Sequence, residues 1–369
     1  MSSLLTYQPF KGVYALLAVA FETACFPIWL ATYVFASGRP HKKWTLRQAM
    51  GVYLVKALLY HSSAVKVRTP LSLKPGREGK RWTVMSPAPP SFYKGPLEDK
   101  LVRPAAVGGT WTPSAPSSTE GIDVVLYFHG GAYVIGDGRD SDAGFAAKTF
   151  IKYGKFTHVF AVQYRLASNP NGQFPAAFQD AVTSYVYLLR ELKIPASRIT
   201  ISGDSAGANL TLTLLRYIAD YGKEVDLPWP GAVVLWSPWV NVAAGLDPKA
   251  IDASPHGKTD YLPAGFGVWG AASFSAGHDP RDPYLSPLGH PFRSESPIFI
   301  QTGDAEVLYF DDVELTKQFQ GIPGNNVELL IKESCPHDII LIGHLLGFVN
   351  EARDASRKAG DFVRANRRV

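Results

Sequence analysis

The chain has 369 residues, with 46% hydrophobic and 19% charged side chains. That length allows one large α/β domain or two ordinary ones, and the composition excludes global disorder. Its net charge of +5 is unevenly spread: residues 1–120 carry 15 basic and 5 acidic side chains, and the remainder 22 and 27. A basic N-terminal third suits an anionic surface such as a membrane. Zinc-ligand spacing, a helix-turn-helix pattern and basic stripes interleaved with aromatics are missing, so nucleic acid is not an expected partner. The two cysteines, Cys25 and Cys335, are too few for a disulfide framework and read as small buried hydrophobes.

Residues 13–36 form a largely apolar run of 24. As a helix, that length crosses a bilayer core of roughly 30 Å. Arg39, His41, Lys42, Lys43 and Arg47 follow it and only Lys11 precedes it. The positive-inside rule then places the rest of the chain on the cytosolic side, for instance of the endoplasmic reticulum. Glu22 and Pro27 oppose a plain span, being costly in lipid and in mid-helix. The competing expectation is a soluble cytoplasmic protein whose apolar helix packs on its own lid, or a helix lying in the membrane interface. Thr45 to Gln48 has a capping-box pattern. Leu46, Met50, Tyr53, Leu54, Ala57 and Leu58 then recur at helical spacing, predicting a helix over 45–60. Residues 70–120 are rich in Pro, Gly and Ser and predict irregular chain with one or two strands.

From 121 onward, strands alternate with helices. Strands are predicted at 124–128, 158–162, 199–202, 232–236, 298–301 and 327–331. Helices are predicted at 179–193, 210–219 and over most of 339–366. The alternation predicts a mainly parallel sheet with helices on both faces. Residues 240–292, rich in Gly, Pro and Asp, read as an insertion above the strand ends. Three segments follow: a hydrophobic 1–40, a lid or cap region 41–120, and an α/β domain 121–369 carrying that insertion.

Gly203-Asp204-Ser205-Ala206-Gly207 is a G-x-S-x-G pentapeptide between a strand and a helix, the context its chemistry needs. A sharp turn exposes Ser205, and glycines at 203 and 207 avoid clashes with the neighbouring strand and helix. His129-Gly130-Gly131-Ala132 follows an earlier strand. Its adjacent glycines allow backbone N–H groups to meet a developing oxyanion, so Gly130, Gly131 and Ala206 are the predicted donors. His129 is assigned to holding this loop by hydrogen bonding. The base is expected after the last strand, at His337, because His256, His278 and His290 fall in the insertion and His344 in a helix. The acid belongs after strand 298–301, where Asp304 and Glu306 both qualify. No metal or organic cofactor is needed.

These residues resemble the hormone-sensitive-lipase-like branch of the α/β-hydrolases, over about 121–350. His129-Gly-Gly-Ala132 is similar to its H-G-G-G motif, with Ala132 replacing the third glycine, and 203–207 to its G-D-S-A-G motif. Tyr164-Arg-Leu-Ala167, Phe174-Pro-Ala-Ala177 with Asp180, and Asp282 to Pro287 also resemble family blocks. The resemblance implies an α/β-hydrolase fold, a lid made from 45–120 and 240–292, and ester hydrolysis through an acyl-serine. It implies Glu306 as the acid, because Glu306-Val-Leu308 fits the family's D-x-L pattern. A small-molecule ester is the expected partner, lipophilic if the N-terminus meets a membrane. Other uses of the same residues are an amidase or thioesterase, a tailoring hydrolase or cyclase of secondary metabolism, and a non-catalytic binding member of the fold.

Overall fold

The computed structural model describes residues 4–367. The ends of the expected 1–40 and 121–369 segments, residues 1–3, 368 and 369, lie outside it. The chain begins with two helices, α1 (Phe10–Val34) and α2 (Leu46–Ala64). Strands β1 (Trp82–Met85) and β2 (Val107–Thr112) follow, then β3 (Val124–Phe128), α3 (Gly144–Thr149), β4 (His158–Gln163) and α4 (Ala176–Val186). Next come β5 (Ile199–Asp204), α5 (Ala206–Tyr221) and β6 (Ala232–Trp236). The insertion holds α6 (Val242–Gly245), α7 (Pro248–Asp252) and α8 (Ala264–Phe274). The chain closes with β7 (Ile298–Gly303), α9 (Tyr309–Gln320), β8 (Val327–Lys332), α10 (Ile339–Leu346) and α11 (Val349–Asn366).

The strands make one sheet of eight in the order β1-β2-β4-β3-β5-β6-β7-β8. The β1–β2 and β2–β4 pairs are antiparallel and the other pairs parallel. Both faces are covered, which is why the central strands read as unbroken apolar runs. Alternation still decides which face each side chain serves. Val233, Leu235, Ile298 and Ile300 pack with Leu212 and Leu215 of α5 and Leu315 and Phe319 of α9. On the other face, Trp236 lies among Phe150 and Phe299, and Phe299 meets Phe362 of α11.

Several expected boundaries shift. The helix expected at 179–193 starts at Ala176 and relaxes into a π turn over Tyr187–Glu191. That expected at 210–219 starts at Ala206, and the strand expected at 199–202 runs on to Asp204. The helical stretch 339–366 breaks at Gly347, whose φ of 86° caps α10. The Thr45–Gln48 capping box is formed, with backbone and side-chain bonds in both directions.

Helix α1 is long and apolar enough to cross a membrane by length and composition, and only 6% of its most apolar stretch is buried. It continues through Pro27. Its buried side meets α2. Glu22 accepts from His61 at 3.0 Å and from the Tyr53 hydroxyl, and Trp29 lies against Tyr33 and Tyr53. The carboxylate expected to be costly in lipid thus has two partners within the protein. Leu16, Leu17, Val19, Phe21 and Ile28 face outward. At the end of α1, Arg39 donates to the carbonyls of Tyr33, Val34 and Trp44, clamping the turn into α2. Helix α2 is fixed in turn, since Lys56 donates to the carbonyls of Gly257 and Asp260 in the insertion. Both thiols are free, Cys335 buried and Cys25 half-buried.

Candidate active site

Strand β5 ends at Asp204 and helix α5 starts at Ala206, which leaves Ser205 alone at the corner. Its backbone has φ 50° and ψ −116°, outside the ordinary regions for an L residue. The neighbours hold this strain. The Ser205 amide donates to the Trp236 carbonyl at 2.9 Å, and its carbonyl accepts from Trp239 and Asn209. Both glycines are required sterically. A Cβ at 203 would stand 2.2 Å from the Gly207 carbonyl oxygen, and one at 207 would stand 2.0 Å from that of Phe128. Family-like blocks buttress the corner. Asn209 accepts from the Tyr133 hydroxyl and donates to the carbonyls of Trp239 and Leu285. Arg165 pairs with buried Asp180 at 2.7 Å.

His337 follows β8 through a short loop and is buried. Its Nδ1 lies 3.4 Å from Oε2 of Glu306, a wholly buried carboxylate after β7. That contact is long for a hydrogen bond, and neither atom has another partner. Asp304 goes elsewhere: its Oδ1 accepts from the Ser334 amide at 2.5 Å. Residues two apart after a strand diverge, so Glu306 reaches the imidazole while Asp304 ties down the loop before it. Burial pushes the His337 pKa down, but the Glu306 carboxylate beside it more than reverses this, leaving it raised. Burial likewise opposes ionisation of Glu306, and its contact with His337 outweighs it, leaving the carboxyl lowered.

Sequence reasoning missed three acids around this pair. The Thr302 hydroxyl stands between Glu306 Oε1 and Asp312 Oδ2, 2.7 Å from the latter. One hydroxyl proton serves one carboxylate. Burial, then the charge of Glu306, drives the Asp312 pKa well above the usual carboxylate range. Asp260 accepts from the amides of Tyr261 and Val307, and burial raises it to about 6. Asp338, directly after His337, has φ 51°; its amide donates to Ser237 Oγ and its carboxyl accepts from Leu341 N. That carboxyl also meets Asp204, and burial with this neighbour raises it well above the usual range. The adjacency of Asp338 to His337 was the one visible signal; Asp312 and Asp260 gave none.

The loop after β3 has an unusual backbone. Gly131, Ala132 and Tyr133 all have positive φ, at 104°, 52° and 60°. The Gly130 amide is directed at the Asp204 carboxylate, though Asp204 Oδ2 gains no full hydrogen bond from it. The amides of Gly131, Ala132 and Ala206 have no acceptor among the described residues. His129 Nδ1 bonds the Gly130 carbonyl at 2.7 Å, and its ring stacks on Tyr164, whose hydroxyl donates to the His129 carbonyl. Burial lowers the His129 pKa to about 4, so this ring is neutral and Nδ1 is the donor.

Ser205 opens onto two chambers. One, of about 80 Å³, is walled by Ala132, Trp239, Asn241, Ile251, Val307 and Asp311. The other, of about 340 Å³, also contains His337, Gly130 and Gly131 and is bordered by Leu58 and Leu345. Leu262 and Phe266 of the insertion border both. Ser205 and His337 therefore face one space, without a hydrogen bond between them among the described residues. Catalytic hydrogen bonds in unliganded sites are often long and tighten with substrate. Among the described residues, no group of three or more His, Cys, Asp or Glu is placed to hold a metal ion.

The family model for the alpha/beta hydrolase fold matches residues 125–341. An acetyl-hydrolase of Streptomyces hygroscopicus is 34% identical over 202 residues, 53% of this chain and 60% of that protein. A versiconal hemiacetal acetate esterase of Emericella nidulans is 31% identical over 242 residues, 62% of this chain and 78% of the relative. The alignments to the acetyl-hydrolase and to two mycobacterial relatives span 60%, 56% and 41% of those proteins. Among solved structures, a hormone-sensitive lipase from a metagenome library is 27% identical with a TM-score of 0.57, covering 71% of this chain and 82% of its own. An esterase/lipase from an uncultured bacterium is 25% identical with a TM-score of 0.60, covering 86% and 98%. With the elbow, the sheet order and these likenesses together, the chain belongs to the α/β-hydrolase family, in its hormone-sensitive-lipase-like branch.

Proposed function

We propose that this chain hydrolyses carboxylic esters through an acyl-serine. The observation that carries the reading is the strained Ser205 corner facing the same chamber as His337, whose far nitrogen lies 3.4 Å from buried Glu306. Ser205 Oγ attacks the ester carbonyl carbon while His337 Nε2 takes its proton. Glu306 orients the imidazole and stabilises the imidazolium. The amides of Gly131, Ala132 and Ala206 receive the oxyanion, and Gly130, whose amide faces Asp204, holds the loop to the elbow. Losing one such donor typically costs about 3 kcal/mol of transition-state stabilisation. The C–O bond then breaks, His337 gives its proton to the leaving alcohol, and a water activated by the same imidazole releases the acid.

Relatives named acetyl-hydrolase and acetate esterase support an ester over an amide or thioester. Presence of all three groups speaks against a purely binding role. Ser205→Ala should abolish hydrolysis of p-nitrophenyl acetate and labelling by a fluorophosphonate probe. Wild-type turnover by that variant would sink the reading.

The outward side of α1 supports attachment to a membrane, and Arg39, Lys42, Lys43 and Arg47 after it support a cytosol-facing catalytic domain. Because α2 holds α1 along its length and is itself held by the insertion, the attachment is a face of the enzyme rather than a loose tether. The full chain should sediment with membranes and a form lacking residues 1–40 should not; a truncated form that still sediments would refute the anchor.

A further inference from the structure

A carboxylate that orients an imidazole is only as well aimed as the backbone that carries it. Two peptide planes set the direction of the Glu306 side chain, one shared with Ala305 and one shared with Val307. Both planes are held by side chains of the insertion, from the loop between α7 and α8. The Thr259 hydroxyl donates to the Ala305 carbonyl at 2.8 Å, and Asp260 Oδ2 accepts from the Val307 amide at 2.7 Å. Neither of these backbone groups has a second backbone partner among the described residues. Two consecutive residues thus hold Glu306 on either side.

The same loop meets the site at two more points. His256 stacks on Phe310 at the start of α9, with ring centroids 5.5 Å apart. Tyr261 stands against His337, with centroids 5.7 Å apart. The loop is itself fastened. The amides of Thr259 and Asp260 donate to the His256 carbonyl, and Lys56 of α2 donates to the carbonyls of Gly257 and Asp260. Asp260 is wholly buried, an expensive place for a carboxyl unless its oxygens are bonded. One oxygen accepts from Tyr261 and the other from Val307. The charged groups within its electrostatic reach are His337, Glu306 and Lys56. An apolar side chain would cover the sheet here without that desolvation cost. A carboxylate tied to the peptide beside Glu306, and acting on the His337 ring, is what aiming an acid requires.

We propose that Thr259 and Asp260 are positioning residues for hydrolysis: they fix the backbone of Glu306, so the acid is aimed at His337 only while the insertion is seated on its loop. This rests on the esterase reading above. Asp260 acts in two ways. Its bond to Val307 orients Glu306, and its charge adds to that of Glu306 in favouring the imidazolium formed when His337 takes the Ser205 proton. Thr259 acts in the first way alone, which makes the two effects separable. Lys56 extends the linkage to α2, so the N-terminal helices and the acid are joined through one loop.

The test uses the full chain and p-nitrophenyl acetate. Thr259→Val keeps the side-chain shape and removes the donor, so kcat should fall about fivefold with KM within about twofold. Thr259→Ser keeps the hydroxyl and should hold kcat within about twofold of wild type. Asp260→Asn removes the charge and turns an amino group toward a backbone N–H, so kcat should fall at least about tenfold. Its acid limb of kcat/KM should move to lower pH, because one of the carboxylates favouring the His337 imidazolium is gone. A double-mutant cycle separates aiming from general support of the fold. In Glu306→Gln no carboxylate is left to aim, so adding Thr259→Val should cost less than about twofold more. The assignment is overturned if the Thr259→Val loss multiplies in full in that background, if Thr259→Ser is as slow as Thr259→Val, or if the losses lie in KM alone. An Asp260→Asn form with wild-type kcat and an unmoved acid limb would overturn the part given to Asp260. Should Asp260→Asn fail to fold, the Thr259 pair and the cycle decide. A wild-type chain that neither turns over the ester nor reacts with a fluorophosphonate would end the esterase reading and this one with it.

Discussion

Replacing Glu306 by glutamine keeps the shape of a wholly buried side chain and removes its charge. At 3.4 Å from Nδ1 of His337, a unit charge acting through an effective dielectric of about 20 stabilises the imidazolium by about 5 kcal/mol. Lost from the transition state, that is about 10³–10⁴-fold in kcat. KM for a p-nitrophenyl ester should change by less than about threefold, because Glu306 touches no substrate. Asp304→Asn is the paired control. Its side-chain oxygen can still accept from the Ser334 amide, so kcat should stay within about threefold of wild type. The pH profile gives a second reading. His337 must be neutral to act as base, and its pKa is raised, so kcat/KM rises with pH through a value above that of an ordinary histidine. Without the Glu306 charge, burial prevails, and the acid limb moves to lower pH. A larger loss in Asp304→Asn than in Glu306→Gln, or an acid limb that moves upward, would refute the assignment of the acid.

Gly207→Ala places a Cβ 2.0 Å from a backbone oxygen; denaturant unfolding should show a loss of about 3 kcal/mol or more, or no soluble protein. His129 has a folded pKa of about 4 against 6.5 unfolded, so below pH 6.5 the unfolded chain binds the extra proton. Stability should fall by about 3 kcal/mol between pH 6.5 and 4, and His129→Gln should remove that slope in pH-dependent denaturation curves. Asp338→Asn retains a donor toward Asp204 and should keep kcat within a few-fold, whereas Asp338→Ala leaves Asp204 without that partner and should lose about tenfold with KM little changed; equal losses in the two would argue against a proton held between them.

The parts of this site that were legible in the sequence are those whose chemistry is local. Gly203 and Gly207 announce a turn because no Cβ fits there, and the flanking apolar runs supply the strand and helix. Thr45 and Gln48 satisfy each other within one turn, so their capping box needed no tertiary information. The acid was legible from its residues only as a pair. Asp304 and Glu306 are both carboxylates after one strand, and what separates them is the Ser334 amide and His337, which come from another part of the chain. Asp312 and Asp260 stayed hidden because solvated surface carboxylates look the same in sequence. The oxyanion loop was legible as a motif but not in its backbone path: the left-handed conformation runs on from Gly131 through Ala132 and Tyr133, which carry Cβ atoms and gave no sign of it.

The Arg39 clamp has a kinetic consequence if α1 sits in lipid. Three carbonyls, those of Tyr33 and Val34 at the end of α1 and of Trp44 in the turn before α2, are gathered on one guanidinium, and α2 borders the chamber of Ser205. The mouth of that chamber then stands at a fixed height over the bilayer instead of swinging on a tether. For an enzyme so mounted, the concentration that matters is the mole fraction of substrate in the membrane. Added phospholipid would slow it by surface dilution, at unchanged total substrate and unchanged binding to the vesicle.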